Sequence, residues 1–378
     1  AIEAVKHIKK ISPNLDIFVK IIGTGSDEDY INKKIIENGL EKNISLLGRR
    51  DNAFEIISNS HIFWHLSESE GMPLVVMEAM ALGVKINLDS LESLIDFSKA
   101  YPNQTVSVRI NPGVMAGGNE NISVGHLDSK FGITEESLDE IVKMDKEKKI
   151  KVTTLHIHTG SDIIKNNHFE LGIRKIFSIA HKFQNIETID LGGGIKIPYF
   201  FGDTETDLNK YAEVINEEVK KFKATKGKEL KIIFEPGKFL VSDSGYFITK
   251  VNYVKKSSKN TFVQVNSGFN HFVRPTLYKS YHEIVNLSNP NDKKFDYSVV
   301  GYICEKDTFA ENREISRVSK GDLLCFKNSG AYGFTMTSNY NSRLKPTEVC
   351  IYKNEIKKIR EGEKFDDLFR GQIDIFSK

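Results

Sequence analysis

The sequence predicts an α/β protein that closes with a β-rich domain, and three observations carry this expectation. Residues 1–84 alternate short apolar strands with helical stretches. Residues 85–240 continue the alternation, and successive strands end in polar or glycine residues at βα spacing. From about residue 241 the pattern turns to strands. Alternation of this kind implies a parallel sheet covered by helices. The expected domains are a Rossmann-like α/β fragment (1–84), a partial or hybrid (β/α) barrel of TIM type (85–240) and a β-barrel or sandwich domain (241–378).

The chain opens on Ala1-Ile2-Glu3-Ala4-Val5, which reads as mid-domain helix with Ile2, Val5, Ile8 and Ile11 on one face. Ile17–Ile22 is a short apolar strand that stops at Gly23-Thr24-Gly25, and Ser26 can cap a helix running to Gly39. Ile44–Gly48 is a second strand, with Asp51 placed to cap the next helix. His61–Leu66 is a third, and its helix starts with Pro73 in the first turn and ends at Gly83. Glu70 and Glu78 fall in the loop and the first turns of that last helix, at the mouth of an α/β sheet where ligands bind.

Ile86–Asp89 is strand-like, and Asp89 and Glu92 have the spacing of a capping box. Four further strand ends come after it: Val108-Arg109-Ile110-Asn111-Pro112, His156-Ile157-His158-Thr159-Gly160-Ser161, Asp190-Leu191-Gly192-Gly193-Gly194 and Phe234-Glu235-Pro236-Gly237-Lys238. Helices are expected between them, at Glu170–Phe183 and Leu208–Phe222. Functional residues at the C-terminal ends of successive parallel strands are what an α/β-barrel active site requires. In the β-rich region, strands are expected at Tyr246–Val254, Thr261–Val265, Tyr297–Val300, Asp322–Phe326 and Val349–Tyr352.

The residue types suggest a chemistry. Gly192-Gly193-Gly194 offers backbone N–H groups with no Cβ to obstruct a phosphate, and Ser161 could add a hydroxyl. Glu235 could pair with a protonated pyridine nitrogen, and His158 could lie flat on a ring face. A single glycine run or a single histidine is ordinary structure; four such elements in order are a stronger signal.

The bulk numbers exclude several classes. The 378 residues carry a net charge of +2 with 39% hydrophobic and 28% charged residues, the profile of an ordinary globular protein with room for two or three domains. No basic block marks a nucleic-acid partner, and no apolar run approaches the roughly 18–20 residues of a membrane span. Cys304, Cys325 and Cys350 have no CxxC spacing, so neither a disulfide framework nor a metal site is expected, and a reducing cytoplasm fits.

Residues 1–84 resemble the C-terminal nucleotide-sugar domain of GT-B family 4 retaining glycosyltransferases. The Glu70/Glu78 pair, the Gly23-Thr24-Gly25 turn and Leu47-Gly48-Arg49 carry the likeness. The resemblance implies that Glu70 faces a donor sugar and Glu78 a ribose. It covers less than a quarter of the chain, and a relic packed as α/β layers is the plainer reading.

Residues 85–378 resemble the diaminopimelate decarboxylases, fold-type III enzymes dependent on pyridoxal 5′-phosphate (PLP). The strand ends above carry the likeness, with Val273-Arg274-Pro275-Thr276-Leu277-Tyr278, Gly301-Tyr302-Ile303-Cys304-Glu305-Lys306-Asp307, Gly330-Ala331-Tyr332-Gly333 and Ser338–Arg343. The resemblance implies decarboxylation of meso-2,6-diaminopimelate to L-lysine and CO2, in a homodimer with shared active sites. His158 would stack on PLP. Ser161, Gly193, Gly194, Glu235, Gly237 and Lys238 would bind its phosphate and pyridine. Arg274, Tyr278, Lys238 and Tyr332 would contact substrate, and Tyr332 phosphate as well. Cys304 would be the general acid, and Glu305 would read the distal end of the substrate from across the dimer interface.

The sequence departs from that family in three places. Lys238 stands where an arginine is usual, which keeps the charge and loses the bidentate fork. Gly301-Tyr302 replaces a Gly-Pro, and the acidic motif is one residue short. The third departure is the largest. The family's Schiff-base lysine belongs to a Tyr-x-x-Lys-Ala-Asn-type motif on the first barrel strand, and no such motif occurs in this sequence. Three strand–helix units before residue 85 and five after it would sum to an eightfold barrel, which makes Lys20 a surrogate candidate, although an exposed strand lysine is the ordinary explanation. Two other functions stay open at this point: a non-catalytic fusion or partner-binding pseudo-enzyme, and a residual nucleotide-sugar-binding fragment.

Overall fold

The computed structural model describes residues 16–25, 27–50, 86–114, 129–161 and 166–372, with isolated positions 2, 5, 6, 9, 56 and 125. The chain divides into two compact units, Ala1–Ile86 and Asn87–Lys378.

In the first unit, β1 (Val19–Ile22) and β2 (Ile44–Gly48) pair in parallel around α1 (Glu28–Glu37). Val5, Ile35, Leu40 and Ile44 bury together against Val19 and Ile21. Lys20 is exposed on β1, as an ordinary strand lysine would be. The residue preceding α1 is Asp27, which makes no capping bond. Ser26, Asp51, the strand expected at 61–66, the helix ending at Gly83, and the pair Glu70 and Glu78 lie outside the described residues.

From the boundary at Ile86 onward, five strands stand side by side in sequence order: β3 (Ile86–Leu88), β4 (Thr105–Arg109), β5 (Lys151–His156), β6 (Thr188–Asp190) and β7 (Lys231–Ile233). The pairs from β4 to β7 are parallel. Helices α2 (Leu91–Ala100), α3 (Leu138–Lys146), α4 (Asn166–Ala180) and α5 (Leu208–Lys226) cross between successive strands, the βαβ succession of a barrel wall. The central strands have no exposed face: Val106, Ser107, Val108, Val152, Thr153, Thr154, Leu155 and Ile189 are all buried, as in a sheet covered on both sides. The start of α2 differs from the expectation drawn from the sequence. Ser90, rather than Asp89, is the N-cap, and its Oγ accepts from Ser93 N–H at 3.1 Å. Asp89 lies one residue too early to reach the first free amides.

After the short α6 (Lys238–Val241), a six-stranded sheet forms in the order β10 (Ile284–Asn286), β13 (Leu323–Phe326), β8 (Phe247–Lys256), β9 (Thr261–Val265), β11 (Lys294–Val300) and β12 (Thr308–Ser316). Its pairs are antiparallel except β9–β11. Val251, Val263, Val299, Phe309 and Phe326 form its core, and Phe247 packs its ring 5.1 Å from that of Phe272. Helix α7 (Arg274–Tyr278) interrupts this sheet between β9 and β10. A separate hairpin, β14 (Glu348–Tyr352) with β15 (Glu355–Arg360), lies beyond it in the chain.

Candidate active site

The register of the parallel sheet builds the site. Arg109, His156, Asp190 and Ile233 are laddered neighbours at the C-terminal ends of β4 to β7. The ladder runs on past the strands, with Ile157 N–H donating to Asp190 O and Glu235 N–H to Gly192 O. Side chains two residues apart share a side of an extended chain. His158, Gly192 and Glu235, each two residues beyond a laddered neighbour, therefore reach one rim.

A cavity of about 310 Å³ opens at this rim. His158, Ser161, Gly193 and Gly194 line it from β5 and β6, and Glu235, Gly237 and Lys238 from the end of β7. Arg274, Tyr278 and Tyr332 complete it from the β domain. The structure thus brings ten residues singled out in the sequence into one pocket. Ser280 and Met336 also line it; a lone serine and a lone methionine give no sequence signal.

The glycine run is required by close approach. A Cβ on Gly193 would sit 2.4 Å from Glu235 O, and one on Gly192 2.5 Å from Ile157 O. Gly192 also has a left-handed φ of +65°, which a side chain disfavours. The amides are partly committed within the protein. Gly192 N–H donates to Asp190 Oδ1 at 2.9 Å, and Gly193 N–H donates to His158 Nδ1 at 3.1 Å. The sequence suggests three amides free for a phosphate; the local turn leaves Gly194 N–H as the one without a protein acceptor among the described residues.

His158 Nδ1 accepts a hydrogen bond, so its proton sits on Nε2. Burial and the Arg109 charge hold its pKa below the ordinary histidine value. Glu235 is 53% exposed at its side chain. Its pKa is pushed up by partial burial and by Asp190, and Arg109 opposes the rise. Asp190 is itself raised by burial. One His/Asp/Glu trio stands here, with donor atoms of His156, Asp190 and Glu235 within 4.8 Å of one another.

On the facing side, Arg274 is 5% exposed and donates to Tyr199 Oη and Ser280 Oγ, each at 3.4 Å. Its guanidinium lies 5.8 Å from the Tyr278 ring and 5.9 Å from the Tyr332 ring. Lys238 is 8% exposed and is the sole lysine lining the cavity among the described residues. Tyr332 holds a left-handed φ of +59°, a conformation that costs a non-glycine residue of order 1 kcal/mol or more and clusters at functional sites.

Cys304 and Glu305 do not line this cavity. Both are exposed, with Cys304 Sγ donating to Glu305 Oε2 at 3.3 Å. The Tyr340 hydroxyl donates to the other Glu305 oxygen and, with Cys304, holds that carboxyl below its usual pKa. Asp307 is buried and accepts from Phe269 N–H (2.8 Å) and Ile303 N–H (2.9 Å), so it clamps the loop that presents Cys304 and Glu305.

Residues 74–242 match the family model for the pyridoxal-dependent decarboxylase, pyridoxal binding domain, and residues 1–86 match that for group 1 glycosyl transferases. The chain is 36% identical over 303 residues to a diaminopimelate decarboxylase of Methanothermobacter thermautotrophicus, covering 78% of this chain and 71% of the relative. It is 30% identical over 380 residues to one of Buchnera aphidicola, covering 97% and 88%. The crystal structure of Helicobacter pylori diaminopimelate decarboxylase complexed with L-lysine superposes with a TM-score of 0.69 at 26% identity, over 98% of this chain and 86% of that one.

Proposed function

The chain belongs to the diaminopimelate decarboxylase family of PLP-dependent enzymes, and from that premise we propose that the β5–β7 rim binds PLP and that the same pocket takes meso-2,6-diaminopimelate for decarboxylation to L-lysine and CO2. The observation that carries the proposal is the convergence of phosphate-, ring- and carboxylate-binding residues from β5, β6, β7 and the β domain on one 310 Å³ cavity. The cofactor fits these residues. Gly193, with no Cβ, lets the ends of β6 and β7 close to backbone contact at the pocket, and Gly194 N–H and Ser161 supply phosphate donors. Bound there, PLP supplies the electron sink for the bond electrons left when CO2 departs.

The protein's own groups do the rest. Glu235 sets a carboxylate where a protonated ring nitrogen would need one. The Gly193 amide fixes the orientation of the His158 imidazole, which stays uncharged at neutral pH because its pKa is lowered. Arg274 and Lys238 offer two cations to a substrate with two carboxylates. Arg274 is pre-positioned by Tyr199 and Ser280, so little side-chain entropy is lost on binding.

Cys304 as proton donor and Glu305 as reader of the distal ammonium lie outside the lining of their own cavity. We assign them to the cavity of a second copy, which makes the working unit a cytoplasmic homodimer. No helix among the described residues is long and apolar enough to cross a membrane. Titration with PLP, followed by assay of CO2 and L-lysine from meso-diaminopimelate, tests the reading. Saturable binding at one PLP per chain is expected, and a folded protein that binds none would overturn it.

A further inference from the structure

His156 takes no part in the chemistry above, yet it is the more deeply buried histidine of the pair at the end of β5, with 4% exposure. Its ring is held from behind. Nδ1 lies 2.6 Å from Asn87 Nδ2 on β3, across 69 residues of chain. The oxygen end of that amide is already used, because Ser107 Oγ on β4 donates to Asn87 Oδ1 at 2.9 Å. The end facing His156 is therefore the NH2 group, which can only donate. Nδ1 must accept, and the ring proton must sit on Nε2.

Nε2 is buried with no hydrogen-bond partner. Glu235 Oε2 stands 3.5 Å from it. We infer that Ser107, Asn87 and His156 form a relay that locks the Nε2–H tautomer of His156 and aims it at Glu235, making His156 a positioning residue for the carboxylate that faces the ring nitrogen. The inference rests on the PLP reading for the purpose of the relay, and on distances alone for its existence.

The charges around the ring agree. Burial first, then Arg109 and His158, lower the His156 pKa to about 4. At neutral pH the imidazole is an uncharged donor, so it can orient Glu235 without cancelling its charge. An imidazolium would have formed an ion pair that competes with the cofactor's ring nitrogen. The tautomer also bears on the His156, Asp190 and Glu235 trio. A divalent cation needs a lone pair on Nε2, and the relay turns an N–H there instead.

Two measurements on the full chain test the relay without PLP. Histidine-selective 15N spectra should show a pyrrole-type Nε2 and a pyridine-type Nδ1 for His156 at pH 7. Asn87→Asp, which presents only acceptors to Nδ1, should move the proton to Nδ1. A pyrrole-type Nδ1 or an imidazolium in the wild type at pH 7 overturns the inference. Carboxyl 13C titration of Glu235 should shift upward by about half a pH unit in His156→Leu, because an N–H dipole turned toward the charged form is lost. His156→Gln, which keeps an N–H at the same reach, should restore the wild-type value, and an unmoved Glu235 in His156→Leu would also sink the proposal.

PLP titrations then separate the two readings. His156→Leu should bind PLP about tenfold more weakly than wild type, equivalent to about 1.4 kcal/mol, with His156→Gln near wild type. Wild-type protein that binds no PLP, with the relay signals intact, removes the cofactor reading and leaves the relay standing.

Discussion

Gly193 N–H and His158 Nδ1 meet at 3.1 Å across 35 residues of chain, and this contact gives the glycine run a second use besides close approach. The amide that the sequence suggests for a phosphate instead fixes a ring orientation. Gly193 is thereby coupled to both neighbours of the cavity floor, through its amide to His158 and through its missing Cβ to Glu235.

Gly193→Ala should accordingly be costly. A methyl group 2.4 Å from Glu235 O must displace backbone, an overpacking worth about 1–3 kcal/mol. Urea unfolding should report that loss, and PLP affinity should fall with it. Gly202→Ala is the contrast: no atom lies within 4 Å of its added Cβ, so only the φ of +85° there should cost anything, about 1 kcal/mol, with PLP affinity unchanged.

The same geometry explains why this site is largely legible in the sequence. Each functional side chain lies one to a few residues past a strand end, so four strand ends in order locate His158, Gly193 and Glu235 without knowledge of the turns. Long-range polar contacts leave no such trace. Asn87 and His156 are unremarkable alone, and their meeting depends on the ladder joining β3 to β5 through β4. Three strands are hidden for other reasons, β10 because it is only three residues long. β15 is exposed at every position, and β12 is an edge strand whose central Glu311-Asn312-Arg313-Glu314 is polar, so neither shows apolar alternation. The α2 cap falls one residue from its expected place because Asp89 and Ser90 are both good N-caps, and only the backbone decides between them.

Lys238 is expected to act as a charge and as an amine. Lys238→Met should weaken PLP or substrate binding by roughly 2 kcal/mol, the worth of a charged hydrogen bond, and Lys238→Arg should keep the ion pair to substrate while losing the covalent hold on PLP that an amine provides. Borohydride treatment of the PLP-loaded protein and peptide mapping should then mark Lys238 in the wild type and nothing at that position in Lys238→Arg. Label on Lys20 in place of Lys238 would overturn the assignment of the amine to Lys238.

Acid should destabilise the fold before carboxylates titrate. Burial lowers both His156 and His282 from 6.5 to about 4. Between those values the unfolded chain binds protons that the folded chain does not, so stability is full above about pH 6.5 and falls as pH drops toward 4. Each group contributes on the order of 3 kcal/mol at most. Urea midpoints measured from pH 7.5 to 4.5 should decline, and His282→Gln, if it folds, should flatten part of the slope. A midpoint constant across that range would contradict both buried histidines being neutral.

The placement of Cys304 and Glu305 outside the cavity lining leads to the sharpest test of the assembly. Both are exposed and absent from the cavity of their own chain, whereas Lys238 and Arg274 line it. If a second copy supplies the first pair, a Cys304→Ala chain and an Arg274→Ala chain are each inactive alone yet complementary when mixed. Half of randomly re-formed dimers are mixed, and each mixed dimer holds one intact site, so about a quarter of wild-type activity should return under two-fold symmetry. Recovery should track the mixed-dimer fraction seen by native mass spectrometry. Mixed dimers that stay inactive would mean that both groups serve their own chain or none, and the Cys304 proton would then have to come from elsewhere in the cavity.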